Sequence, residues 1–145
     1  MSGAQNKPIV SYANRTYDKT LTGLASGPRI WGRIVSIKVN VTTPYTGTQP
    51  TLMWKFNTGN AAPVRKADGT IKAINLQIDA KVAGERVFTP SGNSNIKPND
   101  VAPTLVAGDT AMGGFFVAAQ LTSDVSGESA GPVINLEIIC DQGIS

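Results

Sequence analysis

The stretch Gly127-Glu128-Ser129-Ala130-Gly131 has the G-x-S-x-G spacing of a hydrolase nucleophile elbow. A serine nucleophile needs a base to take its proton, and this 145-residue chain contains no histidine. Ser-His-Asp and Cys-His catalysis are thereby excluded, together with every His-ligated metal site. The lysines fall on polar faces or in loops, away from the burial that Ser-Lys chemistry requires, so the pentapeptide reads as a turn. Asp124, Ser126 and Glu128 alternate like the oxygen ligands of a calcium loop. They lack the further carboxylates and the terminal bidentate glutamate that such loops use at fixed spacing. The remaining acids stand singly in turns and mark out no acid–base pair. Gly113-Gly114 lacks the lysine of a phosphate loop and reads as a close backbone approach within a strand. The single cysteine, Cys140, rules out an intrachain disulfide and multi-cysteine clusters. Lying in the apolar stretch Val133 to Cys140, it reads as an inert core thiol. No catalytic residue, metal or cofactor is expected.

Binding chemistry leaves fainter marks. Residues 1–67 carry nine bases and one acid, net +8, while residues 68–145 carry four bases and nine acids, net −5. Arg15, Lys19, Arg29, Arg33, Lys38, Lys55, Arg65 and Lys66 are therefore candidates for contact with a polyanion or with the acidic half of a second copy. The alternative is that sheet formation interleaves the two halves and averages the charges. Trp31, Trp54, Tyr45 and Phe56 form a conceivable stacking platform beside Arg33 and Lys55. Trp54 and Phe56 share the apolar side of one segment and are better placed in a core. Tyr45, in the loop between Pro44 and Pro50, is the candidate for an exposed aromatic contact.

The elements that must position these residues are strands. The composition has 12 Val, 12 Ile and 14 Thr against 7 Leu and 3 Glu, which favours pleated sheet over helix. Val35, Ile37, Val39 and Val41 alternate with Ser36, Lys38, Asn40 and Thr42, predicting one dry and one wet face. Leu52, Trp54 and Phe56 alternate with Met53 and Lys55; Ile74, Leu76, Ile78, Ala80 and Val82 alternate with Asn75, Gln77, Asp79 and Lys81. Glu85 to Thr89 is a short strand. Met112 to Leu121 reads as a strand buried on both faces. Ile134, Leu136, Ile138 and Cys140 form the last dry row, with Ile139 out of step. Two closing helices over Thr110–Leu121 and Pro132–Gln142 are the rival for the tail, disfavoured by Gly113-Gly114. All nine prolines lie between these runs or at their first residue, as ladder-forming segments require. Asp68-Gly69 predicts a type I′ hairpin. Ser91–Pro103 and Ser123–Gly131 are the long polar loops. Seven or eight such strands predict an all-β, antiparallel two-sheet sandwich or jelly-roll-like barrel in one domain, residues 29–145. Residues 1–28 are weakly patterned. They are either an arm laid on a neighbouring subunit or an edge strand and loop of their own subunit.

The final third carries a resemblance. Ala107-Gly108-Asp109 leading into Met112–Leu121, then a loop and the closing VINLEIIC (Val133–Cys140), resembles the small single jelly-roll proteins of virus particles: capsid, spike, penton or decoration subunits of bacteriophage-like viruses. That resemblance implies a virion structural protein without enzymatic activity, made in the host cytoplasm. It would self-assemble through sheet edges, N-terminal arm and loops, with other virion proteins as further partners. Met1 to Val10 lacks the apolar core of a signal peptide, and no apolar run is long enough for a membrane helix, so no membrane insertion is expected. The alternatives are a β-sandwich module binding carbohydrate or a host receptor through Tyr45 and the polar loops, and a coat protein of the single-stranded RNA phage type contacting nucleic acid.

Overall fold

The computed structural model describes residues 8–17, 29–58, 64–115, 118–128 and 131–144, and among them every regular element is a strand. In chain order these are β1 (Pro8–Tyr17), β2 (Arg29–Thr43), β3 (Met53–Asn57), β4 (Val64–Arg65), β5 (Ile71–Lys72), β6 (Asn75–Asp79), β7 (Gly84–Thr89), β8 (Gly92–Ser94), β9 (Thr110–Phe115), β10 (Ala118–Leu121) and β11 (Val133–Ile144). They form two antiparallel sheets. The larger has eight strands in the order β1-β11-β2-β9-β4-β5, with β7 and then β8 branching from β2; the smaller has the order β10-β3-β6. The chain is an all-β, two-sheet sandwich whose larger sheet curls into a half-barrel. The helical rival for the tail is replaced by β9, β10 and β11.

Period-two alternation explains most of the core. Ile134, Leu136, Ile138 and Cys140 of β11 are fully buried, as are Trp54 of β3 and Ile78 of β6. Facing rows from two sheets thus exclude water between them, and burial of apolar area supplies the main driving force. Trp54 and Phe56 stack with ring centroids 6.3 Å apart, on the dry side of β3 as their spacing requires.

Three expectations are corrected. Val35 is exposed, while its neighbour Ser36 is buried. Against β11, Cys140 pairs with Ile34 and Ile139 with Ser36, which leaves Val35 as the extra residue of a β-bulge. A bulge inverts face parity, so the dry row Ile37, Val39, Val41 continues toward the N-terminus as Ile34 rather than Val35. The apolar run Met112–Leu121 is not one strand buried on both faces. Its first part, β9, pairs with β2 in the large sheet, its second, β10, pairs with β3 in the small one, and Met112 is exposed. The 64–72 hairpin is not type I′. Lys66 N–H donates to Thr70 O (2.9 Å) and Gly69 N–H to Lys66 O (2.9 Å), and in this turn Gly69 alone has a positive φ, +89°. That is a three-residue loop ending in a left-handed glycine. The Asp68 carboxylate accepts from Thr70 N–H and Oγ–H, which holds its pKa below the ordinary carboxylate value.

Within the weakly patterned lead segment, Pro8–Tyr17 is an edge strand of this same large sheet, in register with β11 from Val10↔Asp141 to Tyr17↔Ile134. The other residues of segment 1–28, Lys19 among them, lie outside the described residues.

Candidate functional site

The candidate bases do not gather into one basic face. Strand β2, from the basic half of the sequence, is flanked by β11, β9 and β7, all from the acidic half. Opposite signs therefore meet across the ladder. Arg33 donates to Asp141 (3.1 Å), and Lys38 stands 3.9 Å from Glu137, its register partner on β11. Lys55 is exposed on β3, in the other sheet. The Arg65 guanidinium donates to Gly69 O (2.8 Å) in its own hairpin, beside exposed Lys66. Arg15 and Arg29 occupy β1 and β2, with backbone positions opposite Leu136 and Phe115. The interleaved alternative is thus what pairing produces for Arg33 and Lys38, because hydrogen-bonding the two halves into one sheet juxtaposes their charges.

Tyr45 is also corrected, for it is 2% exposed and belongs to the core. Its N–H donates to Ala80 O (2.7 Å), its hydroxyl donates to Glu128 Oε1 (3.0 Å), and the Tyr45 hydroxyl oxygen accepts from Gln49 N–H (3.1 Å). Lys81 Nζ bonds Gln49 O (2.9 Å) and lies 6.0 Å from the centre of the Tyr45 ring. Three loops are latched together in this way. Burial raises the Tyr45 phenol pKa, the Gln49 N–H opposes that shift, and the Glu128 carboxylate adds to it. Gly47 belongs to the latch by necessity, since a Cβ there would sit 2.2 Å from Glu128 Oε2 and 2.3 Å from the Tyr45 hydroxyl oxygen.

The calcium-like triplet dissolves for a related reason. Asp124 Oδ1 accepts from Ser126 N–H and Oγ–H, which lowers its pKa, while Glu128 turns to Tyr45. Among the described residues no cluster of three or more metal-ligating groups occurs. Ser129 lies outside the described residues. The Cys140 thiol is buried, and desolvation pushes its pKa up to about 12, far from the thiolate that reactivity requires.

Two features lay outside the candidate list. The first is the ion pair of Arg86 and Asp100, both side chains wholly buried. All five guanidinium N–H groups find acceptors: Asp100 Oδ2 (2.9 Å) and Oδ1 (3.4 Å), Val82 O (2.9 Å), Gly84 O (2.8 Å) and Asp79 O (3.1 Å). Asp100 also accepts from Asp79 N–H (2.8 Å) and Lys97 N–H (2.9 Å), which staples the 90–103 loop to β6 and β7. A sequence signal existed: in a strand, Arg86 shares a face with Phe88, and Phe88 is core.

The second is an apolar band on the outer side of the large sheet. Trp31 of β2 lies directly opposite Met112 of β9, and they are 45% and 48% exposed. The adjoining ladder row runs Asp141, Arg33, Thr110, Arg65, Ile71 across five strands, and Ile71 is exposed as well. Val35, thrust outward by the bulge, lines a shallow cleft with Arg33, Pro90 and Ala107; Ala107 and exposed Val106 line the next cleft, over the Lys72–Asp109 ion pair. Among the described residues, five of the seven large exposed apolar side chains thus lie on this band or along the clefts adjoining it, where Arg33 and Lys72 are each paired with a carboxylate. Trp31 was visible in the sequence as a platform residue, whereas Met112 was hidden in an apolar run.

No helix among the described residues is long and apolar enough to cross a membrane. No protein-family model, curated protein or solved structure matches this chain.

Proposed function

We propose that the chain is a non-catalytic structural subunit of a virus particle, made to assemble with copies of itself. The observation that carries this reading is the outward apolar band centred on Trp31 and Met112. Large apolar side chains clustered on one part of a small domain's exterior are characteristic of surfaces that bury themselves against other protein. Arg33 and Lys72 beside the band are paired with carboxylates of the same chain, so a polyanion would have to displace Asp141 from Arg33, and nucleic acid is the weaker reading. The two-sheet sandwich supports the assignment too, since such sheets offer broad, stiff faces and backbone edges for repeated docking.

Light scattering at physiological salt tests the proposal. The expected mass is a discrete multiple of 15.2 kDa, with rings, shells or small symmetric particles in electron micrographs. Trp31→Ser/Met112→Ser is expected to lower that mass while leaving the β-sheet circular dichroism intact, because neither side chain lies in the core. A strict monomer at millimolar concentration refutes the reading. Single-stranded nucleic acid captured at low salt and released steeply as salt rises would favour the polyanion instead.

A further inference from the structure

We infer that two copies of this chain join edge to edge through β1, pairing antiparallel about a two-fold axis so that their large sheets become continuous. The inference rests on the self-assembly reading and names the contact that would nucleate it. Strand β1 has ten residues and pairs with β11 on one side; its other side meets no strand among the described residues. Ten residues at about 3.3 Å each make a row of backbone donors and acceptors roughly 33 Å long. Edges of that length invite further strands, and monomeric sheet proteins blunt them with prolines, lysines, bulges or shortness. In β1 the one proline is the first residue, the one charged residue is Arg15, and the one register shift against β11 falls at the strand's start, between Pro8 and Val10, the register then running unbroken to Tyr17.

The occupant follows from comparing the edges this chain offers. At the far end of the large sheet β5 has two residues, and the branch ends in β8 with three. In the small sheet β10 has four residues, and the outer side of five-residue β6 is already bridged, Gln77 exchanging backbone bonds with Val101 (3.0 and 2.8 Å). Longer β2 and β11 lie inside the sheet, so among the described residues the edge strand that matches β1 in length is β1 of a second copy. Self-pairing also closes, because an isologous two-fold contact uses up both edges, whereas an arbitrary strand would leave a new one.

Symmetry restricts the register. A two-fold axis perpendicular to the sheet keeps each face on its own side, so residue i stands opposite residue j only when i and j are both even or both odd. Maximal overlap of a ten-residue strand then puts either Tyr12 or Ala13 on the axis, opposite its own copy, with nine residues paired. Residues opposite each other in an antiparallel pair have Cα atoms about 4.5–5.5 Å apart, within disulfide reach; the neighbouring register position does not meet its own copy.

The experiment uses the full chain carrying Tyr12→Cys, Ala13→Cys or, as flanking controls, Val10→Cys and Arg15→Cys, each with buried Cys140 retained. Mild oxidation followed by non-reducing electrophoresis reads the covalent dimer. The expected result is rapid cross-linking at Tyr12→Cys or at Ala13→Cys but not both, at least tenfold faster than at the flanks, with the sheet signal unchanged. A wild-type mass that is multimeric, with all four variants cross-linking equally or none at all, overturns β1 pairing and leaves self-assembly standing. A wild-type monomer at high concentration removes both.

Discussion

Replacing Arg86 by Met is expected to be among the most damaging single changes available in this fold. The side chain is wholly buried, and its partner Asp100 is too. Met fills much of the volume but supplies none of the five hydrogen bonds, leaving the Asp100 carboxylate with the N–H groups of Asp79 and Lys97 alone. Removing one member of a buried pair strands an uncompensated charge, which costs about 3–5 kcal/mol. Three carbonyls, those of Asp79, Val82 and Gly84, lose their guanidinium donors as well. Against a total stability of roughly 5–15 kcal/mol, a loss of about 4 kcal/mol removes a quarter or more. In urea denaturation followed by Trp54 fluorescence, the midpoint should fall by about 2 M at an m-value of about 2 kcal/mol/M, with m itself unchanged. Asp100→Asn should be similarly harmful, because an amide N–H₂ then faces either the guanidinium or a backbone N–H. The double variant Arg86→Met/Asp100→Asn removes both charges and should recover part of the loss, a coupling of about 1–3 kcal/mol. A loss below 1 kcal/mol in Arg86→Met, or strict additivity in the double variant, would show that the pair does not hold the 90–103 loop as argued.

The Tyr45 latch makes a smaller and separable claim: Tyr45→Phe should cost about 1–2 kcal/mol through the orphaned Gln49 N–H and the lost hydrogen bond to Glu128. Gly47→Ala should cost about 1–3 kcal/mol in the same denaturation assay, and Glu128→Ala should relieve only part of that cost, since the added methyl collides with the buried Tyr45 phenol as well as with the carboxylate. Cys140 should resist thiol reagents until the chain unfolds. Its folded pKa of about 12 lies above that of the unfolded thiol, so the stability it contributes is complete below about pH 9 and is lost as pH climbs toward 12; Cys140→Ala should flatten that part of a stability–pH profile. The bulge is tested by charge placement: Val35→Lys should change stability by less than about 0.5 kcal/mol, while Ser36→Lys, one residue along, should destabilise by several times as much.

How far these features could be read beforehand depended on whether parity was marked. Along β3, β6 and β11 polar residues mostly alternate with apolar ones and the core list follows closely, except that Asp79, in the polar row of β6, is buried, its carboxylate accepting from Lys81 N–H and Asn99 Nδ2. In β2 the same rule fails at Val35. Nothing in Ile34-Val35-Ser36 signals that one residue is surplus against β11, because a bulge is a property of the pair and not of the strand. The run Met112–Leu121 fails differently: with apolar residues on both sides there is no parity to break, and the switch from one sheet to the other leaves no polar mark. Tyr45 is misread because Pro44, Gly47 and Pro50 announce a surface turn. What buries it is Glu128, 83 residues away, together with a glycine whose missing side chain makes room. Arg86 was legible in principle, its face being fixed by Phe88; a buried guanidinium runs so strongly against composition-based expectation that only the acceptor set justifies it.

The distribution of charge decides which force could drive association. Had the basic and acidic halves folded into separate faces, copies would attract head to tail through a field extending over about a Debye length, and salt would weaken them. Instead β2 lies between strands of the acidic half, and Arg33 and Lys38 are offset locally by Asp141 and Glu137. Little long-range field is left on that face. What remains outward is the opposite kind of surface, Trp31, Met112, Val35 and Ile71, whose burial is insensitive to screening, and the backbone edge of β1, whose hydrogen bonds are short-ranged and directional. Under the self-assembly proposed above, contact between copies would be selected by shape and register after encounter rather than by attraction before it. A broad apolar band alone tolerates sliding; a strand edge admits only discrete steps, and about a two-fold axis only those of matching parity. In that proposal the two features divide the work, the band supplying affinity and the edge the geometry that a repeating assembly would require.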